Sequence, residues 1–257
     1  MRGWDFSHIR GRYEEGRDLP WSYDALVRQY RADGMQLLDQ DTGGGEYLLS
    51  LGHPPANTAA TEGWPPNAEL CRQRLLPLGI RFAVCDDPAA VPFEDGAFDL
   101  ILNRHGAYDP KELFRLLRPG GVFITQQVGA DNDRDLVRRV LPGLPKPFPA
   151  QTLACQRPAF EQAGFVLLHT GECHRPIRFF DVGAFVWFAH VIEWEFAGFS
   201  VDRCLEALLG MQRELEQTGA VTGTTHRFLL AAQKPPLPGP VKSPQAPEGK
   251  ALDGPKA

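Results

Sequence analysis

Cysteine pairs at metal or redox spacing are missing from this chain, as are a membrane-length apolar run and any excess of positive charge. The five cysteines, Cys71, Cys85, Cys155, Cys173 and Cys204, are scattered, odd in number and free of C-x-x-C spacing. That pattern argues against a disulfide framework and a zinc site and leaves reduced core thiols as the expectation. No combination of His, Cys and Asp has the spacing of a metal site, so no metal is expected. No apolar run reaches bilayer length and no apolar segment follows a basic start, so the expected location is cytoplasmic, with no membrane partner. Lys and Arg number 27 against 32 Asp and Glu, a net charge of −5. A nucleic-acid surface usually needs a basic patch to neutralise phosphates, so no nucleic-acid partner is expected. With 257 residues and 43% hydrophobic content, the chain has enough apolar surface for one large α/β domain.

What is present starts at residues 37–46, Leu-Leu-Asp-Gln-Asp-Thr-Gly-Gly-Gly-Glu. An apolar run stops at an acid and then at three glycines, which reads as a buried strand entering a glycine-rich turn, with a helix starting at Glu46. Glycines let the backbone take conformations closed to other residues and let a ligand approach the main chain. A second apolar strand, 57–61, ends in Glu62 about 20 residues beyond the loop, where an acid can accept hydrogen bonds from ribose hydroxyls. A nicotinamide fingerprint would need G-x-G-x-x-G, yet with Gly43 and Gly45 as its first two glycines the third position is Leu48.

These residues resemble the first motif of the class I S-adenosylmethionine (SAM) dependent methyltransferases, acid-x-Gly-x-Gly-x-Gly. Asp39, Gly43 and Gly45 match, and Asp41 stands where the motif has its first glycine. Further matches follow in order: Glu62, then Asp86-Asp87 before Val91-Pro92-Phe93, then Phe98-Asp99-Leu100-Ile101, then Leu117-Arg118-Pro119-Gly120-Gly121-Val122-Phe123. The resemblance covers about residues 35–130 and more loosely the remainder to Lys234. It implies a doubly wound, mostly parallel, seven-stranded α/β sheet and SAM as cofactor. It places Asp39 near the methionine amino group, Gly43 to Gly45 against the cofactor, Glu62 on the ribose and Asp87 near adenine. Asp41 falls beside the methionine end, where replacement by glycine is expected to tighten cofactor binding.

Residues 1–34 read as an irregular arm and a helix over 21–31, and 35–234 as the SAM-binding domain. Strands are expected at 81–85, 97–102, 122–127, 165–170 and 224–232, with helices at 67–78, 111–117, 152–164 and 201–218. Ligands sit at the carboxyl ends of strands in such a sheet, so Asn103 and His105 should line the site, Asn103 toward the cofactor. Gln126, Gln127 and Asn132 should lie at the cleft's edge. A cap-like insert at 171–200 carries the aromatic-rich segment 178–199, which reads equally as a pocket roof or as a buried helix and loop. The tail 235–257, rich in Pro, Gly and Lys, is expected to be disordered.

In this family the substrate's nucleophile attacks the methyl carbon of the sulfonium in line, so the protein chiefly aligns donor and acceptor. If the acceptor needs a base, His105 is the best placed by chain order, with an imidazole that titrates near neutrality. The expected acceptor is a small molecule. A SAM-binding protein without catalysis, and a methyltransferase acting on RNA or protein, stay open, because fold resemblance does not choose the acceptor.

Overall fold

Leu37 and Leu38 are adjacent and both fully buried, so the strand Leu37–Gln40 (β2) is covered on both faces, as strands of a parallel sheet are. The computed structural model, which describes residues 6–237, places β2 among seven other strands. These are β1 (Tyr13–Glu15), β3 (Thr58–Glu62), β4 (Arg81–Val84), β5 (Phe98–Arg104), β6 (Leu117–Val128), β7 (Val166–Phe179) and β8 (Val221–Gln233). One sheet holds them in the order β1-β7-β8-β6-β5-β2-β3-β4. Pairing is parallel from β6 through β5, β2 and β3 to β4 and antiparallel from β6 through β8 and β7 to β1.

Alternation along the strands explains the layers. Leu37, Leu100, Leu102, Val122, Ile124 and Leu229 point to one face. There they meet helices α1 (Tyr23–Tyr30), α2 (Glu46–Ser50) and α3 (Pro65–Arg74). Leu38, Ile101, Phe123, Phe228 and Leu230 point to the other face. They pack on α4 (Pro110–Leu116) and α6 (Leu153–Gln162). A third cluster joins β7 and β8 to α5 (Arg134–Val140), α7 (Val182–Val191) and α8 (Val201–Thr218). Local chemistry sets several helix starts. Ser22, Asp109, Thr152, Asp181 and Ser200 each accept a main-chain N–H of the first turn, which satisfies donors that have no partner within the helix.

The sheet has eight strands where the sequence predicts seven. The extra one is β1, Tyr-Glu-Glu, in the arm expected to be irregular. It lacks apolar alternation and forms because β7 runs on to Phe179 and offers it an edge. For the same reason residues 171–179 are strand and not the start of a cap. The aromatic-rich segment proves to be both helix and wall: Phe185 and Phe196 are buried in the third cluster, while Phe188 and Ile192 also face a cavity described below. Residues 1–5 of the arm and 238–257 of the expected tail lie outside the described residues.

The chain order reverses between β2 and β5, since β3 and β4 continue on one side and β6 on the other. The two strands diverge into separate loops there, and a crevice opens at their carboxyl ends.

The ring of Phe185 is fully buried and meets Phe179, Phe196 and Phe199 edge-on at centroid distances of 5.5, 5.7 and 6.2 Å. Phe185→Ala should therefore cost about 3–5 kcal/mol of unfolding free energy in a denaturant titration. A loss below about 1 kcal/mol would mean that α7 is not seated on the sheet.

Candidate functional site

The glycine loop follows β2 directly. Gly43 and Gly45 have φ of 64° and 81°, a region that disfavours side chains. At Gly45 a Cβ would also press on Leu75 at 3.1 Å. Glu62, at the end of β3, is buried. One of its carboxylate oxygens accepts the Gly43 N–H at 2.8 Å, and the other accepts the Trp64 N–H at 2.8 Å. It thus ties the loop to the neighbouring strand.

Asp39 is buried and accepts the Thr42 hydroxyl at 2.6 Å. Burial pushes its carboxyl up to about 7; Asp41 and Glu62 push the same way, while the Thr42 hydroxyl and Arg104 oppose. Asp41 takes a left-handed conformation with φ of 55°, which aspartate tolerates better than most residues. Its carboxylate crosses the crevice to accept the Ala107 N–H at 3.1 Å. A Cβ on Gly106 would fall 2.4 Å from the Asp41 Cβ, so the two loops meet with no room for a side chain there. Burial and then Glu62 push Asp41 up to about 6. Three acids thus share a crevice; of the cations, Arg104 lies over the Tyr47 ring at 4.8 Å and Arg74 donates to the Gly44 carbonyl at 3.0 Å. Two buried oxygens in this region, Gln40 Oε1 and the Tyr47 hydroxyl, have no hydrogen-bond partner.

The other predicted residues divide. Asn103 is fully buried. Its amide donates to the carbonyls of Gln40 and Ala107 at 3.3 and 3.4 Å and accepts from Thr125 and Gln127 at 3.3 and 2.7 Å. It holds the two loops in place and does not present itself to the crevice. Asp87 is exposed after β4, with one oxygen accepting the Ala89 N–H at 2.9 Å and the other available. His105 has a left-handed backbone with φ of 68°. The surrounding protein depresses its imidazole to about 3, chiefly by desolvation and then through Arg227 and Arg104. The shift runs away from the near-neutral titration expected of it and comes from local desolvation of the ring and from the two cations, although the residue as a whole is exposed. The ring is neutral at pH 7 and a weak base.

Beside the crevice, beginning at residues 105–107, lies a cavity of about 880 Å³. Phe6, Tyr13, Ile177, Phe188, Ile192 and Trp194 supply apolar wall, and Gln127, Asn132, Asp133, Glu195 and Arg227 supply polar groups. Gln127 and Asn132 stand where the sequence predicts cleft-edge amides. Asp133, Glu195, Arg227 and Glu15 carry no motif. Only the order of β6 could have marked Asp133, which follows the end of a strand beside the switch point. Among the described residues, Asp131, His174 and His226 form a cluster whose candidate ligand atoms lie within 4.8 Å of one another. His226 Nδ1 already accepts the Asp131 N–H at 3.1 Å and Nε2 contacts Glu172 at 3.0 Å, so both ring nitrogens are engaged.

Residues 38–125 match the family described as Methyltransferase domain. Over 136 residues the chain is 31% identical to the demethylmenaquinone methyltransferase of Thermus thermophilus, covering 46% of this chain and 62% of that protein. It is 29% identical over 121 residues to the phthiotriol/phenolphthiotriol dimycocerosates methyltransferase of Mycobacterium tuberculosis, covering 43% of this chain and 44% of that one. The match thus spans less than two thirds of either relative. Among solved structures, a Bacillus halodurans C-125 protein provisionally named a methyltransferase superposes with a TM-score of 0.58 at 17% identity, over 86% of this chain and all of that one. The YcgJ protein from Bacillus subtilis gives a TM-score of 0.58 at 15% identity, over 83% and 97%. These likenesses speak to fold.

Asp39 offers a test of the buried acids. Its folded-state pKa of about 7 lies above the ordinary value of 3.8, so its contribution to stability is full below pH of about 4 and is lost as pH rises through about 7. Asp39→Asn removes that titration and keeps an acceptor for Thr42. Measured by thermal melts, the stability of Asp39→Asn relative to the parent should rise steadily from pH 4 to pH 8. A difference that does not change with pH would show that the Asp39 carboxyl is solvated.

Proposed function

Since the chain is built on the class I methyltransferase fold and carries the Methyltransferase domain at residues 38–125, we propose that it transfers a methyl group from SAM to a small-molecule acceptor. The observation that carries this reading is a juxtaposition. An acidic crevice at the switch point adjoins, at residues 105–107, a half-open and largely apolar cavity, as a two-substrate transfer requires.

The residues fit SAM on chemical grounds. Its ammonium and sulfonium bring the positive charge that Asp39, Asp41 and Glu62 lack, and the unpartnered Gln40 Oε1 is an acceptor for an ammonium. Asp39, Asp41 and Gln40 would hold the methionine end, the main chain of Gly43 to Gly45 would lie against the cofactor, Glu62 would take the ribose and Asp87 the adenine. When bound, SAM supplies an electrophilic methyl group. The chain's own residues position and shield. Asn103 and Asp41 fix the 105–107 loop between the two compartments, and the aromatic wall excludes water from the cavity. His105, neutral and weakly basic, orients a polar acceptor by hydrogen bonding and takes up a proton only if the acceptor raises its pKa. At Asp41, glycine would relieve the left-handed conformation but also release the Ala107 N–H, so the gain expected from that substitution is offset.

A small acceptor is supported by the size of the cavity, by the acidic net charge and by relatives named for demethylmenaquinone and phthiotriol dimycocerosates. Among the described residues no helix is long and apolar enough to cross a membrane, and all five cysteines are free, which fits a reducing, cytoplasmic setting.

Calorimetry with SAM and S-adenosylhomocysteine (SAH), followed by a methyl-transfer screen of metabolite pools, tests the reading; failure of both ligands to bind would sink it. Two sharper outcomes are expected. Glu62→Ala should weaken SAM binding at least about tenfold, since hydrogen bonds to a charged group contribute about 1.5–3 kcal/mol. SAM binding at pH 6.5 should also release protons, because a cation beside Asp39 and Asp41 lowers carboxyls that stand at about 7 and about 6. Titrations in buffers of different ionisation enthalpy measure that release, and none at pH 6.5 would remove these acids from the cofactor site.

A further inference from the structure

The cavity contains two buried acids that the proposed mechanism does not use. Asp133 is fully buried and follows β6 at the N-cap position of α5 with φ of 55°, yet its side chain caps nothing. Asn132 donates to its Oδ2 at 2.6 Å, while Oδ1 has no hydrogen-bond partner. Glu195, in the segment after α7, is also buried, and its Oε2 is unpartnered. Both residues line the cavity. Two acceptor oxygens on separate elements, each desolvated and unsatisfied, are costly for the protein alone.

Arg227 acts on Asp133 and Arg134 on Glu195, each favouring the ionised acid, but neither donates a hydrogen bond to the unpartnered oxygens. Arg227 is held by Glu15 at 2.6 Å and donates to Asn132 at 2.5 Å and to the His226 carbonyl at 2.9 Å. Arg134 donates from Nη2 to the Leu144 carbonyl, and its Nη1 has no partner. Burial accordingly pushes Asp133 well up and Glu195 to about 7, a cost that a bound cation would relieve. The rest of the wall includes Phe6, Tyr13, Phe148 and Phe188, and aromatic faces attract cations as well as apolar surface.

We infer that Asp133 and Glu195 form a subsite for the ammonium group of an amphipathic amine, whose apolar body occupies the aromatic part of the cavity. This rests on the methyltransferase reading only in taking that amine to be the acceptor, in which case one ammonium proton passes to Asp133 or Glu195, the free amine attacks the methyl carbon and SAH leaves; the binding site itself stands on the cavity. A neutral alcohol would leave the two acids uncompensated, and a carboxylate would repel them. The chemical class is therefore an arylalkyl- or alkylamine that is cationic at neutral pH.

The test uses three probes on one scaffold, tryptamine, tryptophol and indole-3-propionate, titrated into the full chain by calorimetry at pH 8 with and without SAH. Tryptamine should bind at least tenfold more tightly than tryptophol, with indole-3-propionate weakest. Glu195→Gln and Asp133→Asn should each weaken tryptamine at least tenfold and leave SAH affinity unchanged. Both substitutions preserve shape, and melting temperature reports whether each variant folds; if Asp133→Asn does not fold, Glu195→Gln carries the test. No tryptamine binding, equal binding of tryptamine and tryptophol, or folded variants that bind tryptamine like the parent would overturn the subsite. Loss of SAH binding in the parent, with the amine preference intact, would instead overturn the cofactor reading alone.

Discussion

Everything at the switch point hangs on main-chain N–H groups held by carboxylates. Glu62 accepts from Gly43 and Trp64, and Asp41 accepts from Ala107. These bonds tie together three loops that come from different strands, alongside the Asn103 and Gln40 amides that donate to the Ala107 carbonyl. Charge-assisted hydrogen bonds of this kind are about twice as strong as neutral ones, which suits segments that have no regular pairing. The acids also repel one another, so the same groups that order the loops leave a deficit of positive charge. Order and the cation affinity proposed for this crevice therefore rest on one arrangement.

The core of the fold was legible from the order of motifs because each marks a backbone requirement. Leu37 and Leu38 read as a buried strand, the glycines as a turn, and 111–117 as a helix; all three hold in the structure. Boundaries moved where pairing overrides local preference. Residues 171–179 look like loop, being polar and containing Gly171 and Pro176, yet β8 pairs with them throughout. The strand β1 exists only because that extension offers an edge. Neither could be read from a window of sequence, since the partner lies elsewhere in the chain.

The candidate site was legible only where chemistry demands glycine or an acid at fixed spacing. Asp39, Gly43, Gly45 and Glu62 converge as that spacing implies. Asn103 lies where chain order puts it, but its amide is consumed by Gln40, Ala107, Thr125 and Gln127, which depends on four partners that no motif specifies. Likewise, His105 could be located, but its depressed basicity comes from local desolvation and from Arg227, 122 positions away by number in the same sequence. Position in a strand is a local property; electrostatic environment is not.

The pairing of Glu15 with Arg227 joins residues 212 positions apart, and Phe6 and Tyr13 stand in the same cavity wall as Ile192 and Trp194. The crevice, by contrast, is assembled from residues 37–107. During synthesis the crevice half emerges well before β7 and β8 exist to receive β1, and closing so long a loop carries an entropic cost that short-range contacts avoid. The arm that walls the cavity is therefore made before the strand it docks on and is among the last segments to be seated. Until β7 and β8 have been delivered, the cavity lacks both the strand that receives β1 and the arginine that pairs with Glu15.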